Sequence, residues 1–200
     1  MKVTEIAHTN TSGINLNVLH SITISDVMQT SKLIGKPVLS NPDSTEYWLY
    51  KRFSHKYIEY FLCSADAVIC MVGASLQNTK NASYIQIHGV QLKSEYKSKG
   101  LGLLTYDSIK NAERMNLMSD FEQTSDGKKL WNRIASVHSV AVIDITTGEK
   151  ISNDIDDAYA WYYMDSSKAK ETVLVTEELI SEGILVKKIN VNRRKNGNSR

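Results

Sequence analysis

The pattern of apolar and polar positions predicts a chain rich in strands. β-forming residues dominate the runs Lys56–Cys63, Ala67–Leu76 and Tyr84–Leu92. Because β-branched and aromatic side chains fit a pleated surface, we predict a strand in each run, with Ser64-Ala65-Asp66 joining the first two as a hairpin. A looser alternation from Ile14 to Ile24 predicts an earlier strand.

Helical spacing marks other segments. Small and apolar residues recur every three or four positions after Gly100, at Leu101, Leu104, Ser108, Ala112 and Met115. This period predicts an amphipathic helix. With Ser25 as its N-cap, a further helix is predicted over Asp26–Ile34. A short aromatic helix is predicted over Thr45–Lys51, after the turn residues Asn41–Ser44.

The second half of the chain continues the mixed pattern. Asn116–Asp120 predicts a short strand, and Val137–Thr146 with Lys150-Ile151 predicts a hairpin around the turn Thr147-Gly148-Glu149. Ile184–Val191 predicts a late strand, and the order between the hairpin and this strand stays open. The elements together indicate an α/β (α+β mixed) fold class.

Composition favours one domain. The chain has 200 residues, of which 42% are hydrophobic, enough for a sizeable core, and no segment has the composition of a linker. We predict a single domain over residues 1–191 and a basic tail over residues 192–200. The amino-terminal residues lack the pattern of a secretory signal, and no apolar run is long enough to span a bilayer. We therefore expect a cytoplasmic protein without a membrane partner.

Charge is distributed unevenly along the chain. Six of the 24 Lys and Arg residues lie in Lys187–Arg200, which has no acidic residue, so the rest carries 18 basic against 22 acidic residues. A basic tail can attract a nucleic acid or another acidic partner. A disordered, solvated end is the favoured interpretation of the tail, since the rest of the chain offers no second basic footprint.

The two cysteines, Cys63 and Cys70, lack metal-ligand spacing. We interpret them as reduced, buried small hydrophobes, and we predict no metal site and no disulfide.

The segment from Val90 to Leu104 predicts a strand that ends in a glycine-bearing turn at the start of a helix. Such a turn directs backbone amides towards an anion, and Gly100 and Gly102 would let a phosphate approach the backbone. A tight structural turn is the alternative. The chain lacks the Gly-Lys-[Ser/Thr] sequence of a P-loop and the third glycine of a dinucleotide fold.

Lys97-Ser98-Lys99-Gly100-Leu101-Gly102 resembles the [QR]-x-x-G-x-[GA] signature of the GNAT superfamily of N-acetyltransferases, with Lys for Gln or Arg. Thr124–Trp131 matches the spacing of the family segment N-x-x-A-x-x-L-Y, with Thr, Gly and Trp in place of Asn, Ala and Tyr. The resemblance covers about Tyr57–Ala135. It implies a GNAT-like fold, in which helices flank a mostly antiparallel mixed sheet, and acetyl-CoA as the acetyl donor.

The resemblance also implies which residues hold the donor. Backbone groups of Val90 and Leu92 would face the pantetheine and the acetyl carbonyl. The pyrophosphate would lie on the loop and first helical turn, formed by Lys97, Ser98, Lys99, Gly100, Leu101, Gly102 and Leu103. Thr124 would lie near the pantetheine, although the sequence favours an N-cap role for it.

An amine acceptor must lose a proton before it attacks the thioester. His88 and Asp120 are the candidate bases because they lie on the strands that border the cofactor in this family. Imidazole changes charge near neutral pH, which suits a base. A packed strand histidine and a turn-forming aspartate are the structural alternatives.

Trp131 occupies the position of the family tyrosine that protonates the departing thiolate. Indole cannot serve as that acid. Tyr162, Tyr163 or water would have to substitute, and a non-catalytic binding protein that retains the fold is the alternative function.

The pattern in Leu117–Trp131 is also similar to acetyltransferase-like proteins of bacterial viruses, which would place the protein in a host cytoplasm. The acceptor stays open among a small amine, a protein and a modified base. The sequence leaves a homodimer open as well.

Overall fold

The computed structural model describes residues 19–37, 45–54, 57–121, 124–157 and 172–177. Within these ranges the chain forms three α-helices and nine strands. The helices are α1 (Ile24–Thr30), α2 (Leu101–Glu113) and α3 (Ser125–Val137), and the strands are β1 (Lys32–Gly35), β2 (Trp48–Ser54), β3 (Tyr57–Cys63), β4 (Val68–Asn78), β5 (Ser83–Leu92), β6 (Asn116–Met118), β7 (Ser139–Asp144), β8 (Lys150–Ser152) and β9 (Thr172–Glu177).

All nine strands belong to one sheet, in the order β1-β2-β3-β4-β5-β6-β9-β7-β8. Neighbouring strands are antiparallel, except that β5 and β6 are parallel and α2 connects them. A parallel pair needs such a crossover connection. The predicted mixed α/β class and mostly antiparallel sheet are confirmed.

Both faces of the sheet are buried. In β3, Tyr60 and Leu62 join the apolar cluster that includes residues of α2 and α3, whereas Phe61 and Cys63 join the cluster that includes Val27 of α1. Side chains two apart share a face of a strand. Burial on both faces explains why these strands read as continuous apolar runs rather than as alternating ones.

The first predicted elements are partly wrong. Residues 19–24 do not form the end of a strand; they lead into α1, whose N-cap is Thr23 rather than Ser25. The Thr23 hydroxyl accepts from the Asp26 amide (3.1 Å), and the Asp26 carboxylate accepts from the Thr23 amide (3.0 Å). This reciprocal capping box fixes the start of the helix. Residues 14–18 lie outside the described residues.

The helix predicted over Asp26–Ile34 ends at Thr30, because the following residues pair with β2 as strand β1. The aromatic helix predicted over Thr45–Lys51 is also wrong. Strand β2 occupies residues 48–54, and it pairs with β3 along its whole length. Leu49 and Tyr50 bury on opposite faces of the sheet, so tertiary pairing outweighs the local signal here.

The remaining predicted elements are confirmed with small changes of boundary, including the β3–β4 hairpin, β5, α2, β6 and the β7–β8 hairpin. β9 was not predicted, and it inserts between β6 and β7. The strand predicted over Ile184–Val191 lies outside the described residues, as do Asn41–Ser44 and the tail. No helix in the described ranges is long and apolar enough to cross a membrane.

Candidate active site

Strands β5 and β6 pair over only three positions, from Tyr84–Asn116 to Gln86–Met118. Beyond that point β6 ends, whereas β5 continues to Leu92. Ser119, the next residue, is bound to β9: its amide donates to the Leu174 carbonyl (2.8 Å) and its hydroxyl accepts from the Leu174 amide (3.0 Å). The β5–β6 ladder therefore ends here, and we use the word gap for the stretch beside Ile87–Leu92 of β5, where no strand of the described residues pairs with β5 on the side away from β4.

A β-bulge lies where the gap opens. On β4, Gly73 and Ala74 are consecutive, but their partners on β5 are Gly89 and Ile87, so His88 is the extra residue. A bulge interrupts the ladder and redirects the side chain at that position. The sequence gives no sign of it, because it depends on the register between the two strands.

His88 and Asp120 lie next to each other across the gap, each two residues beyond the last β5–β6 pair. Nδ1 of His88 is 3.6 Å from Oδ1 of Asp120, and the two side chains are only 11% and 8% exposed. The Asp120 carboxylate also accepts a hydrogen bond from the Phe121 amide (2.9 Å), which restrains it. The structure thus brings both predicted base residues into one pair.

Ser75 of β4 completes this group and was not predicted from the sequence. Its Oγ lies 2.7 Å from Nε2 of His88. The ring of Tyr57 meets the imidazole edge-on, with centroids 6.0 Å apart. Both ring nitrogens of His88 therefore face polar partners, and its orientation is set from three sides.

The predicted phosphate loop begins after β5 and ends at the amino terminus of α2. Ser98 and Gly100 both have a positive φ, +64° and +78°. Gly100 is the N-cap of α2, and within the described residues no side chain caps the helix. The first helical hydrogen bond runs from the Leu104 amide to the Gly100 carbonyl (3.0 Å). The amides of the first turn thus remain free to bind an anion, which the helix dipole favours.

The two glycines of the loop have different structural roles. A Cβ on Gly100 would meet nothing within 4 Å, but its φ lies in the left-handed region that side chains disfavour. A Cβ on Gly102 would lie 3.6 Å from Cδ1 of Leu130. Gly102 thus faces helix α3 rather than open space, and Gly100 alone borders room for a ligand.

The other predicted cofactor residues divide into exposed and buried groups. Lys97, Ser98 and Lys99 are exposed, and Nζ of Lys99 lies 5.3 Å from the centre of the Tyr96 ring. Leu101 is fully buried. Val90, Leu92 and Leu103 are partly buried and pack against the same core. The exposed lysines offer positive charge to a ligand, whereas the polar groups that the apolar residues offer are those of their backbone.

Thr124 is the N-cap of α3, and its hydroxyl accepts a hydrogen bond from the Gly127 amide (3.1 Å). The cap role favoured by the sequence is confirmed. A capping hydroxyl still has a proton to donate, so contact with a ligand is compatible with the cap.

Trp131 is buried, with 2% of its surface exposed, and it meets the ring of Tyr106 edge-on at 6.3 Å between centroids. Burial, followed by the nearby Cys70 and Asp120, raises the pKa of Tyr106 above its ordinary value. Tyr106 is therefore a neutral core phenol. Tyr162 and Tyr163, the predicted substitutes for the family tyrosine, lie outside the described residues.

The cysteines behave as expected for core residues. Both are buried and unpaired, and burial is the main cause that raises the pKa of each thiol to about 12. The thiolate is the reactive form, so neither thiol is a nucleophile near neutral pH.

No protein-family model matches the chain, and no curated protein matches its sequence.

Proposed function

We propose that the chain binds acetyl-CoA and transfers the acetyl group to an amine, on a fold of the GNAT type. One juxtaposition carries the proposal: the pairing of the parallel strands β5 and β6 ends just before His88 and Asp120, and the loop after β5 leads into helix α2, which no side chain of the described residues caps. A base for the acceptor and a place for the donor would thus lie along one strand and the loop that follows it. The pair of strands β1 and β2 departs from the resemblance, which implies a second helix in that place.

The amino-terminal end of α2 suits a pyrophosphate. Free amides of the first turn, the helix dipole and the exposed Lys97 and Lys99 all favour negative charge there. The open space beside Gly100 leaves room for the phosphates. No strand of the described residues pairs with the edge of β5 at Val90 and Leu92 that faces away from β4. This edge can then bond the amide groups of the pantetheine, and the Thr124 hydroxyl can donate to the pantetheine.

The His88–Asp120 pair would supply the base that removes a proton from the acceptor. An ammonium acceptor that enters the gap must lose a proton, and the imidazole can take it while the carboxylate stabilises the resulting charge. The nitrogen then attacks the acyl carbonyl, the C–N bond forms and the C–S bond breaks. Holding both reactants in the gap supplies much of the rate. Water protonates the departing thiolate, since Trp131 cannot.

A binding protein without turnover is the second candidate. The observation that favours it is the burial of Trp131 at the position of the family tyrosine. In that case the chain would bind acetyl-CoA but would leave it intact in the presence of amines.

Calorimetric titration with acetyl-CoA tests the proposal. We expect micromolar binding that Gly100→Val abolishes, because the substitution strains the loop and fills the space beside it. Gly35→Ala is the matched control: Gly35 lies on β1, away from the loop, and its added Cβ would be 3.9 Å from Leu49. Absence of binding to the unaltered protein would remove the proposal.

Release of the free thiol in the presence of a panel of amines then separates the two candidates. An enzyme releases thiol faster with an acceptor than without one. Binding without acceptor-dependent release would favour the non-catalytic candidate.

A further inference from the structure

Ser75, His88 and Asp120 form a connected group that the proposed acetyl transfer does not fully use. They lie on β4, on β5 and directly after β6. Oγ of Ser75 is 2.7 Å from Nε2 of His88, and Nδ1 of the same ring is 3.6 Å from the Asp120 carboxylate. Because Ser75 is bound to Nε2, a proton from an acceptor reaches that nitrogen through the Ser75 hydroxyl in this arrangement. Ser75 is half-buried rather than enclosed in the core.

We propose that Ser75 is an activated nucleophile and that the site hydrolyses small activated acyl esters through an acyl-serine. The inference does not depend on coenzyme A, because it requires only the three side chains and an acyl group small enough to enter the gap.

The partners of the two ring nitrogens support this role. Asp120 faces Nδ1, which favours the tautomer with its proton on Nδ1 and leaves Nε2 free to accept the hydroxyl proton of Ser75. The Phe121 amide holds the carboxylate, and Tyr57 packs against the imidazole. A nucleophile bound to a base that a third group orients is the arrangement by which serine is activated in unrelated folds.

The reaction would run in two balanced steps. In the first, Oγ of Ser75 bonds to the acyl carbon and its proton passes to Nε2. The bond from that carbon to the leaving oxygen breaks, and the leaving group takes the proton from Nε2. In the second, the oxygen of water bonds to the acyl carbon and gives a proton to Nε2. The bond from that carbon to Oγ of Ser75 breaks, and Oγ takes the proton from Nε2. The sum is an ester and water giving an acid and an alcohol.

p-Nitrophenyl acetate is the probe for this activity. We expect a burst of nitrophenolate that approaches one equivalent of protein, followed by slower turnover. After rapid acid quench, intact and peptide mass spectrometry should locate one acetyl group on Ser75. Hydroxylamine should release this ester, whereas acetylated lysines resist it.

Variants complete the test. Because a positioned base contributes roughly 10²–10⁴-fold, Ser75→Ala and His88→Gln should each lower the hydrolysis rate at least about tenfold. Ser108→Ala is the matched control: among the described residues this half-buried serine of α2 donates its side-chain hydrogen bond to the Leu104 carbonyl alone (2.6 Å), so the rate should stay unchanged.

Two results would overturn the inference: a hydrolysis rate that Ser75→Ala leaves unchanged, or acetylation of the unaltered protein only at other residues. The mapping on unaltered protein stands even if a variant fails to fold. An acetylated Ser75 in a protein that does not bind acetyl-CoA would support this inference while removing the acetyltransferase proposal.

Discussion

Gly100→Ala is expected to lower the free energy of unfolding, whereas Gly102→Ala is expected to leave it unchanged or raise it slightly, although the two glycines flank one residue of the same motif. At Gly100 the backbone has φ +78°, and an added Cβ would meet no atom within 4 Å. The cost is therefore conformational. A left-handed conformation costs an L-residue roughly 1–2 kcal/mol, of which the smaller entropy of the unfolded chain offsets about 0.4–1 kcal/mol.

The expected loss for Gly100→Ala is thus about 1 kcal/mol. At Gly102 the backbone is helical, and the added Cβ would make an ordinary contact with Leu130 at 3.6 Å. Replacing a helical glycine by alanine stabilises by roughly 0.5–1 kcal/mol in a helix interior, and by less in the first turn. We therefore expect Gly102→Ala to be neutral or slightly stabilising.

Urea denaturation followed by circular dichroism measures both effects. With a denaturant slope of about 2 kcal/mol per molar, Gly100→Ala should lower the midpoint by roughly 0.5 M. The midpoint of Gly102→Ala should stay or rise. Equal losses in the two variants, or a larger loss at Gly102, would refute the assignment of a strained turn to one glycine and a helix contact to the other.

Four further predictions concern stability and reactivity. Gly148→Ala should destabilise the protein by more than about 1 kcal/mol, since Gly148 has φ +72° and an added Cβ would lie 2.8 Å from Oγ1 of Thr79. The urea midpoint should fall, and an unchanged midpoint would contradict this prediction. Thr124→Ala should lower the free energy of unfolding by about 1 kcal/mol, because it removes the N-cap of α3, and Thr124→Ser should restore most of that stability. If serine does not restore stability, the loss is not due to the cap. Cys63 and Cys70 should resist a thiol reagent at about pH 8 until urea unfolds the chain, because folding raises each pKa from 9.0 to about 12. For the same reason the protein should lose stability as pH rises from 9.0 towards about 12, and alkaline stability that is flat over this range would contradict the burial of the thiols.

Local signals were sufficient where pattern and packing agree. Strands β3 to β5 and helix α2 follow from apolar runs, turn residues and a regular helical period. Local signals failed where long-range pairing determines the secondary structure. Thr45–Lys51 carries aromatic residues compatible with a helix, but pairing with β3 makes this region a strand. β9 could not be placed, because its position in the sheet depends on contacts with the distant strands β6 and β7.

The candidate site was predictable as two separate residues and not as a group. His88 and Asp120 are predicted as bases from the GNAT resemblance, because in that family the corresponding strands border the cofactor. Their contact depends on the parallel register of Gln86 and Met118, and the part of Ser75 depends on the bulge at His88. Neither register is encoded in a short stretch of sequence, so only the assembled sheet reveals the three-residue group.

Amide hydrogen exchange with and without acetyl-CoA reports where the donor binds on the protein. We predict slower exchange in peptides that cover Lys97–Leu104 and the second half of β5, since the donor would engage the amides in the first turn of α2 and the edge of β5. A peptide from the β7–β8 turn should exchange at the same rate in both samples. If saturating acetyl-CoA does not slow exchange in Lys97–Leu104, or slows it only in other segments, the proposed donor site is wrong.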